Sequence, residues 1–577
     1  MTIVGGEFVF ERGGPLMVLE NLVETDVLVI GGGIAGWFAA IKAKEKGLDV
    51  TLVDKAYAGR SGASISAGMG YMVFNPKWGL DLDACMNAVN ENGEYINNRE
   101  WTEIVFNDSW QTYQDLISWG VEFPPIEGGK FVKEDYSPFG VVLIKRRKIS
   151  PVLRKQGVKS GVRIIDKVMI ADLLKQDGKV VGAIGFPMER DALYVFKAKS
   201  TVVSTGSNSF KLAGTDICCS TGDGEAMAYR AGAEITGKEF PDTRYHLAAY
   251  PAWRGSSASR GIFRYFTDGE GRRIDIGYEA DLALDFLVHA GKGPILWDLD
   301  AATSEDIEKM RKHQQNSDGL ESDRIGFDPG HRGKFPLAGG RGAGMQNSQT
   351  GGVWPTNKKC ATCIHGLYVA GECCGTRYVG GYHPAPGFGL TGSAVTGSRA
   401  GLGAAEYALQ TRKQVLGTEE LIRLKKIMYL PIEHKTGFNP RWVTQILQNT
   451  MVPYFILHIK HENRLRAALT IVEFLRDHLV PKLIAKDSHE LRLAHETKNM
   501  VLYAEMVLRA SLFRTESRAQ HYREDYPRRD DPDWLVWVKL RQEQKRMKLS
   551  KEPIPKEWWP DLTKPYEETY PKRFPGE

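Results

Sequence analysis

At 577 residues the chain exceeds what one hydrophobic core holds at roughly 150 residues per domain, so several domains are expected. Its 42% hydrophobic and 25% charged residues, with 61 glycines, exclude a fibrous or disordered chain and describe a soluble α/β protein rich in tight turns. A net charge of +5 from 76 basic and 71 acidic residues, with no basic run, excludes nucleic acid as an expected partner and leaves small anions open.

Residues 1–23 read as an N-terminal extension in which Glu7, Glu11 and Arg12 interrupt any signal-peptide core. Residues 26–30, "DVLVI", then form a short apolar strand, followed by the glycine turn and helix "GGGIAGWFAAIKAKEKG" and a second strand, "DVTLVD". Gly31, Gly33 and Gly36 complete GxGxxG. The first permits the tight turn, the second lets backbone N–H groups approach a pyrophosphate at the helix N-terminus beside Ile34 and Ala35, and the third lets helix pack on strand. Asp54, about twenty residues on, suits a carboxylate that accepts hydrogen bonds from a ribose diol.

After Asp54 the stretch 55–71, "KAYAGRSGASISAGMGY", is a loop of small residues against which a bulky flat ring can lie. Further on, "KSTVVSTGS" reads as a buried strand ending at Thr205 and Gly206, and 220–240 as a glycine turn feeding a helix. "GLYVAGE" is one more strand, followed by the stiff loop "GYHPAPGFGLTGS" around His383 and by a helix of small residues. The dinucleotide domain is thus expected over 24–240 and 351–410, with a capping domain at 241–350 between its halves. From 411 to 540 apolar positions three and four apart predict a helical domain. Residues 541–577, proline-rich with Trp558 and Trp559, read as an extended interaction tail lying on a partner or on a second copy of the chain.

Seven scattered cysteines, odd in number, argue against a disulfide framework and for a reducing, cytoplasmic setting. Cys360 and Cys363 form a single CxxC without the two further ligands a zinc site needs, so no metal is expected, and the pairs Cys218–Cys219 and Cys373–Cys374 read as small core residues. No apolar run is long enough to span a bilayer, so no direct membrane insertion is expected.

Taken in order, GxGxxG with Asp54, "RSGASISAGMG", "TGDG", "GLYVAGE", "GLTGSAVTGSRAG" and the C-terminal "FRTESRAQHYREDYPRRDDPDW" resemble the flavoprotein subunits of the fumarate reductase and succinate dehydrogenase superfamily. The resemblance runs over most of 24–540 and includes L-aspartate oxidase and the adenylylsulfate reductase α subunit. It implies an α/β, FAD-binding Rossmann-like domain split by an inserted α+β capping domain and followed by a C-terminal helical domain. It also implies FAD held by Gly31, Gly33, Ile34, Ala35, Gly36, Asp54, Lys55, Ser61, Gly62, Thr205, Gly206, Asp223, Glu372, Gly389 and Leu390. The helix starting near Leu390 would then turn its positive end toward the flavin. Many members attach FAD covalently through a histidine in this flavin loop, whereas residues 60–70 contain none, so non-covalent FAD is expected.

The resemblance also exposes departures. Counted from Glu239–Phe240, Arg244 stands at the histidine of the HPT motif, Arg260 opens the counterpart of RGEGG, and Ser257 replaces the glutamate of the proton relay. No arginine occurs from Ile274 to Met310, where the proton-donating arginine should lie, and "MQNSQT" lacks the substrate histidine. His383 falls at or beside the arginine that clamps a dicarboxylate, and a titratable single donor replaces a permanent bidentate one. His383, Arg244, Arg260 and Asn75 are the candidate catalytic residues. The expected activity is that of an FAD-dependent oxidoreductase flavoprotein that acts on a small anion other than fumarate, in the manner of adenylylsulfate reductase, and exchanges electrons with a ferredoxin-like iron–sulfur partner. An enoate reductase or dehydrogenase, or a catalytically idle electron-transfer subunit, stays open.

Overall fold

The computed structural model describes residues 2–4, 7–9, 21–65, 70–125, 137–145, 149–211, 219–241, 265–274, 281–317, 328–337, 351–382, 384–412 and 416–577. Its largest sheet begins with β1, Asn21–Ile30, whose last four residues, all apolar, are buried. After the glycine turn comes α1, Ile34–Lys44, and then β2, Val50–Val53, which lies parallel to β1 in the register Val27↔Val50. A short β3, Arg163–Ile165, extends the sheet beyond β2. On the other side of β1 lies β6, Tyr194–Val203, also parallel.

β6 changes partners along its length. Its first residues pair antiparallel with β5, Lys179–Pro187, which in turn pairs with β4, Val168–Gln176. Its last residues, Thr201 to Val203, pair instead with β7, Leu367–Val369, in parallel. A parallel sheet and an antiparallel meander thus share one strand. The C-terminal ends of β1, β2, β6 and β7 come together, where ligands of open parallel sheets bind.

Between β6 and β7 runs α2, Asp223–Ala231, and after β7 the long α3, Phe388–Gln410, packs on α1. The approach is close because Gly397 and Gly401 face the backbone of α1. A Cβ at Gly397 would lie 2.4 Å from the Ala35 carbonyl oxygen, and one at Gly401 2.3 Å from that of Ala39. The small-residue run legible in the sequence is therefore a helix–helix contact.

The segment from Thr418 is helical as its periodicity predicts, in α4, Thr418–Glu433, α5, Pro440–Met451, α6, Glu462–Phe474, and α7, Ser488–Phe513. Leu447, Leu465, Val472, Met500, Val501 and Leu508 form the common core of α5, α6 and α7, whereas Leu421, Leu424 and Met428 of α4 pack against Met169, Ile184 and Phe186 of the β4–β5 meander. Of the capping region, a small antiparallel sheet over 266–267, 273–274, 296–298 and 334–336 is described.

The chain after residue 540 departs from the expected extended tail. Val536–Glu543 and Arg546–Pro553 form a hairpin, β8 and β9, so a boundary at 540 cuts through a strand. β8 pairs with Ile235–Thr236, which ties the hairpin to the cofactor domain. Trp558 packs against Trp537, the Trp559 indole donates to the Ile554 carbonyl at 3.0 Å, and Phe574 is buried. Trp558 and Trp559 are half-buried against their own chain, which weakens the reason for assigning them to a partner or a second copy.

A buried carboxylate fastens this tail. Glu94 accepts from Arg529 at 2.6 and 2.9 Å, from Arg573 at 3.1 Å and from the backbone N–H of Ala519 at 2.9 Å. Burial works to raise its pKa, but Arg529, Arg573 and Arg518 hold it down at about 2, against an ordinary value of 4.5. The folded value lies below the unfolded one, so this contribution is complete above pH 4.5 and fades as pH falls toward 2, by about 3 kcal/mol in all. Glu94→Gln is expected to lower the unfolding free energy at neutral pH by about 3 to 5 kcal/mol, and the urea midpoint with it, since it leaves Arg529 buried without its carboxylate. The difference from the unsubstituted protein should shrink on acidification, measured by urea unfolding across that pH window.

Candidate functional site

At the C-terminal ends of the parallel strands opens a cleft lined by residues 30–35, 53–56, 61–64, 168–170, 204–206, 219–220, 371–372 and 389–390 together with Asp223, Met227 and Ser393. Its lining draws on the ends of four strands, the position at which open parallel sheets bind nucleotides.

The glycine turn shows a division of labour. Gly31 has φ +106°, and a Cβ on it would sit 2.5 Å from the Ser204 carbonyl oxygen, so the tight turn under the helix demands glycine there. Gly36 does not line the cleft. A Cβ there would fall 1.8 Å from the Gly31 carbonyl oxygen, so its role is close packing of α1 on the turn. Gly33 has φ −74°, which any residue adopts, and a Cβ on it would meet nothing nearer than the Ser64 hydroxyl at 3.3 Å. Its missing side chain keeps the cleft open over the N-terminus of α1. No acidic residue occupies the first turn of α1, so the positive end of the helix faces the cleft uncompensated.

Asp54 is positioned by backbone donors: Oδ2 accepts from Gly32 and Oδ1 from Ala56, both at 2.7 Å. It therefore locks the glycine turn to the loop that follows β2, while also lining the cleft. Ser61 donates to Tyr57 at 3.0 Å, and Gly62, at φ +79°, has no atom within reach of an added Cβ. Lys55 reaches across to Thr221 at 2.7 Å, Asp223 at 2.8 Å and Glu496 of α7 at 3.0 Å. Burial would lower the Lys55 pKa, but Asp223 and Glu496 raise it above its ordinary value, so it stays charged. Burial likewise opposes the Glu496 carboxylate, yet Lys55, Lys211 and Arg492 hold its pKa at about 2. Asn499, also on α7, donates to Asp223 at 2.8 Å. Lys55 and Asp223 of the cleft wall thus belong to an ion network that joins the cofactor domain to the helical one.

All the expected cofactor residues except Gly36 line this one cleft: Gly31, Gly33, Ile34, Ala35, Asp54, Lys55, Ser61, Gly62, Thr205, Gly206, Asp223, Glu372, Gly389 and Leu390. Cys219 also lines it and Cys363 is exposed, so neither is the core residue expected of it. Of the candidate catalytic residues, Arg244, Arg260 and His383 lie outside the described residues. Asn75 is described and acts as a cap: its carboxamide oxygen accepts from Lys77 N–H at 3.0 Å at the start of a 3₁₀ turn. That side chain serves its own turn and is not among the cleft residues.

Several cleft residues escape a reading of the sequence. The Ser64 hydroxyl accepts from Ile34 N–H at 3.0 Å, capping α1 from the small-residue loop. Val168, Met169 and Ile170 contribute an apolar wall from β4, with nothing in their sequence to distinguish them from core. Behind the wall Glu496, which holds Lys55 without itself lining the cleft, pairs with Arg492 one turn away, and in sequence this reads as a surface helix pair.

The residues fit FAD: a glycine cradle over a helix N-terminus, an acid at the end of β2, an apolar wall, and a second helix start at Gly389–Leu390. The FAD binding domain family matches residues 26–390, and the family described as fumarate reductase flavoprotein C-term matches residues 444–570. The chain belongs to the fumarate reductase and succinate dehydrogenase flavoprotein superfamily. It is an FAD-dependent oxidoreductase subunit. Among its relatives, a fumarate reductase (CoM/CoB) subunit of Methanothermobacter marburgensis is 27% identical, over 89% of this chain and 96% of that protein. The structure of adenylylsulfate reductase from Archaeoglobus fulgidus superposes with a TM-score of 0.75 at 22% identity, covering 93% of this chain and 96% of that one. The quinol fumarate reductase flavoprotein of E. coli superposes at 0.79 and 18% identity, covering 92% and 97%. These two structures establish a common fold. Among the described residues no helix is long and apolar enough to cross a membrane.

The two glycines make separable predictions for this flavoprotein. Gly33→Val should give folded protein without flavin colour, since the backbone tolerates the residue while its side chain enters the cleft. Gly36→Val should lower the melting temperature itself, because the clash is with backbone. Circular dichroism and the flavin absorbance of the purified variants read the two effects apart.

Proposed function

We propose that this chain carries non-covalent FAD and moves electrons between a small anionic substrate other than fumarate and a separate iron–sulfur protein. The observation that carries this reading is a pairing of opposites. The cofactor cradle is complete, while the groups that the family's resemblance assigns to carbon protonation are replaced. Ser257 stands for the relay glutamate, the span from Ile274 to Met310 holds no arginine, and "MQNSQT" holds no histidine. Reduction of a carbon–carbon double bond needs a proton delivered to carbon by a positioned acid. A sulfur-centred anion such as adenylylsulfate does not, and for that reason it is favoured.

When bound, FAD supplies two-electron chemistry toward the substrate and one-electron chemistry toward a cluster. The chain's own part is to hold it: Asp54 and the amides around Gly33 at the nucleotide end, Ser64 fixing the start of α1, and Lys55 with Asp223 and Glu496 keeping that wall rigid. Seven cysteines with a single CxxC cannot ligate a set of clusters, which supports an external iron–sulfur partner. The absence of histidine from 60–70 supports the non-covalent attachment.

A competing reading, fumarate reduction, is favoured by the name of the Methanothermobacter relative. Three measurements decide. Acid precipitation should release the flavin into the supernatant. Fumarate with reduced viologen should give turnover far below the order of 10 s⁻¹ of an ordinary enzyme. Adenylylsulfate or sulfite should perturb the flavin absorbance band at concentrations where fumarate and crotonate do not. Fumarate turnover at an ordinary rate would overturn the proposal.

A further inference from the structure

Four arginines of the described chain are no more than 1% exposed over the whole residue: Arg377, Arg514, Arg518 and Arg523. Three are fully engaged. Arg514 donates to Glu239, Glu516, Trp534 and Val536; Arg518 to Glu516, Glu94 and Asp531; Arg523 to Asp525, Ser511 and Arg514. Arg377 is the exception. It is 1% exposed, yet Nε, Nη1 and Nη2 all lack a hydrogen-bond partner. The buried hydroxyl of its neighbour Thr376 lacks one too.

Among the described residues no counterion is in contact with Arg377. Arg377 stacks over the Phe240 ring, its Cζ 4.8 Å from the centroid, and Arg514 approaches the same ring at 5.2 Å. Glu239 acts on Arg377 through space, but its carboxylate bonds to Arg514 at 3.1 Å. Burial, with Arg514 adding repulsion, pushes the Arg377 pKa down to about 10, so the group remains charged at neutral pH. Its backbone is held at φ +61°, strained for a residue with a side chain, while its carbonyl accepts from Asn98 and Gly380. Strain of this kind persists where the surrounding structure imposes it and clusters at ligand sites.

Position adds the second argument. Arg377 lies on the connection from Glu372 to Leu390, both of which line the cofactor cleft. On the same connection Gly381 packs so closely on Phe240 that a Cβ would lie 2.8 Å from its ring. An isolated buried guanidinium is costly and is retained where an anion meets it. We propose that Arg377 is the anion anchor of the substrate site, donating its planar fork to a carboxylate or sulfur-oxyanion group. The assignment rests on the anionic-substrate reading above only for the identity of the anion.

The test uses the full-length, FAD-loaded protein and Arg377→Met, Arg377→Lys and Arg377→Gln, the last serving if the methionine variant does not accumulate. Thermal unfolding is followed in zwitterionic buffer with sulfite or crotonate added at millimolar levels, below the range of general salt effects. These arms separate the sulfur oxyanion from the carboxylate. One of them should raise the melting temperature of the unsubstituted protein. The concentration needed should rise on the order of 10²-fold in Arg377→Met or Arg377→Gln and less in Arg377→Lys. An equal response in the uncharged variants overturns the proposal, and so does an unsubstituted protein that responds to neither anion. Flavin spectra recorded in parallel keep the two readings apart. An anion-dependent melting temperature without spectral change upholds Arg377 as an anion site and refutes the redox substrate.

Discussion

The closeness of three backbone crossings governs this protein. Helix α1 is pressed onto its own entry turn at Gly36 and onto α3 at Gly397 and Gly401, at separations where a single methyl group would overlap a carbonyl oxygen. With no side chain between them, the helices and the turn have essentially one way to fit. The N-terminus of α1 is consequently fixed relative to the ends of β1, β2, β6 and β7, and the cleft is the space that this arrangement encloses. Cofactor recognition here follows from packing before any polar contact is made.

Charge then decides how the second domain is attached. The Lys55 ammonium is shared between Asp223 of the cofactor domain and Glu496 of α7, and Glu496 also receives Lys211 and Arg492. Such groups are expensive to bury alone and inexpensive only as a set. The helical domain therefore completes a wall of the cofactor site from outside. The Glu94 cluster repeats the solution at the other end of the chain, where one carboxylate gathers Arg529 and Arg573 and brings the C-terminus back onto the body of the protein.

This difference between local and distant determinants explains what is legible in the sequence. The strand, glycine turn, helix and acid of the first fifty-odd residues are local in sequence, so their chemistry reads directly, and Asp54 and Gly33 stand where spacing puts them. Gly36 is a cofactor residue by motif, whereas its geometry makes it a packing residue. Glu496 is invisible in the sequence because its partner Lys55 is 441 residues away, and the Arg492 pairing one turn back offers a sufficient bland explanation. Met169 and Ile170 are core-like strand residues that line the cleft, a distinction hydrophobic patterning does not carry. The tail misleads for a related reason. Prolines and tryptophans signal an extended, sticky segment, but not whose surface it covers, and here Trp537 and Ile554 of the same chain receive the two tryptophans.

Arg377 belongs to neither category, and the contrast with its neighbours is what gives it weight. The three other arginines that are no more than 1% exposed, Arg514, Arg518 and Arg523, are engaged by acids and carbonyls of the described chain. The same region therefore has the means to neutralise a buried cation, and Glu239 is near enough to have done so, yet its carboxylate is turned to Arg514. A fold that pairs its other enclosed arginines and leaves one facing a phenyl ring on a strained backbone position sets that one apart from the structural set. Permanent charge, a planar fork and burial together are the properties by which proteins hold anions firmly against water. If His383 stands at or beside the position of the dicarboxylate-clamping arginine, as the resemblance implies, the proposed role of Arg377 would place the fixed positive charge a few residues earlier on the same connection. On the reading proposed above, the anion's point of attachment and the proton donor would change together, which describes one altered site rather than scattered decay.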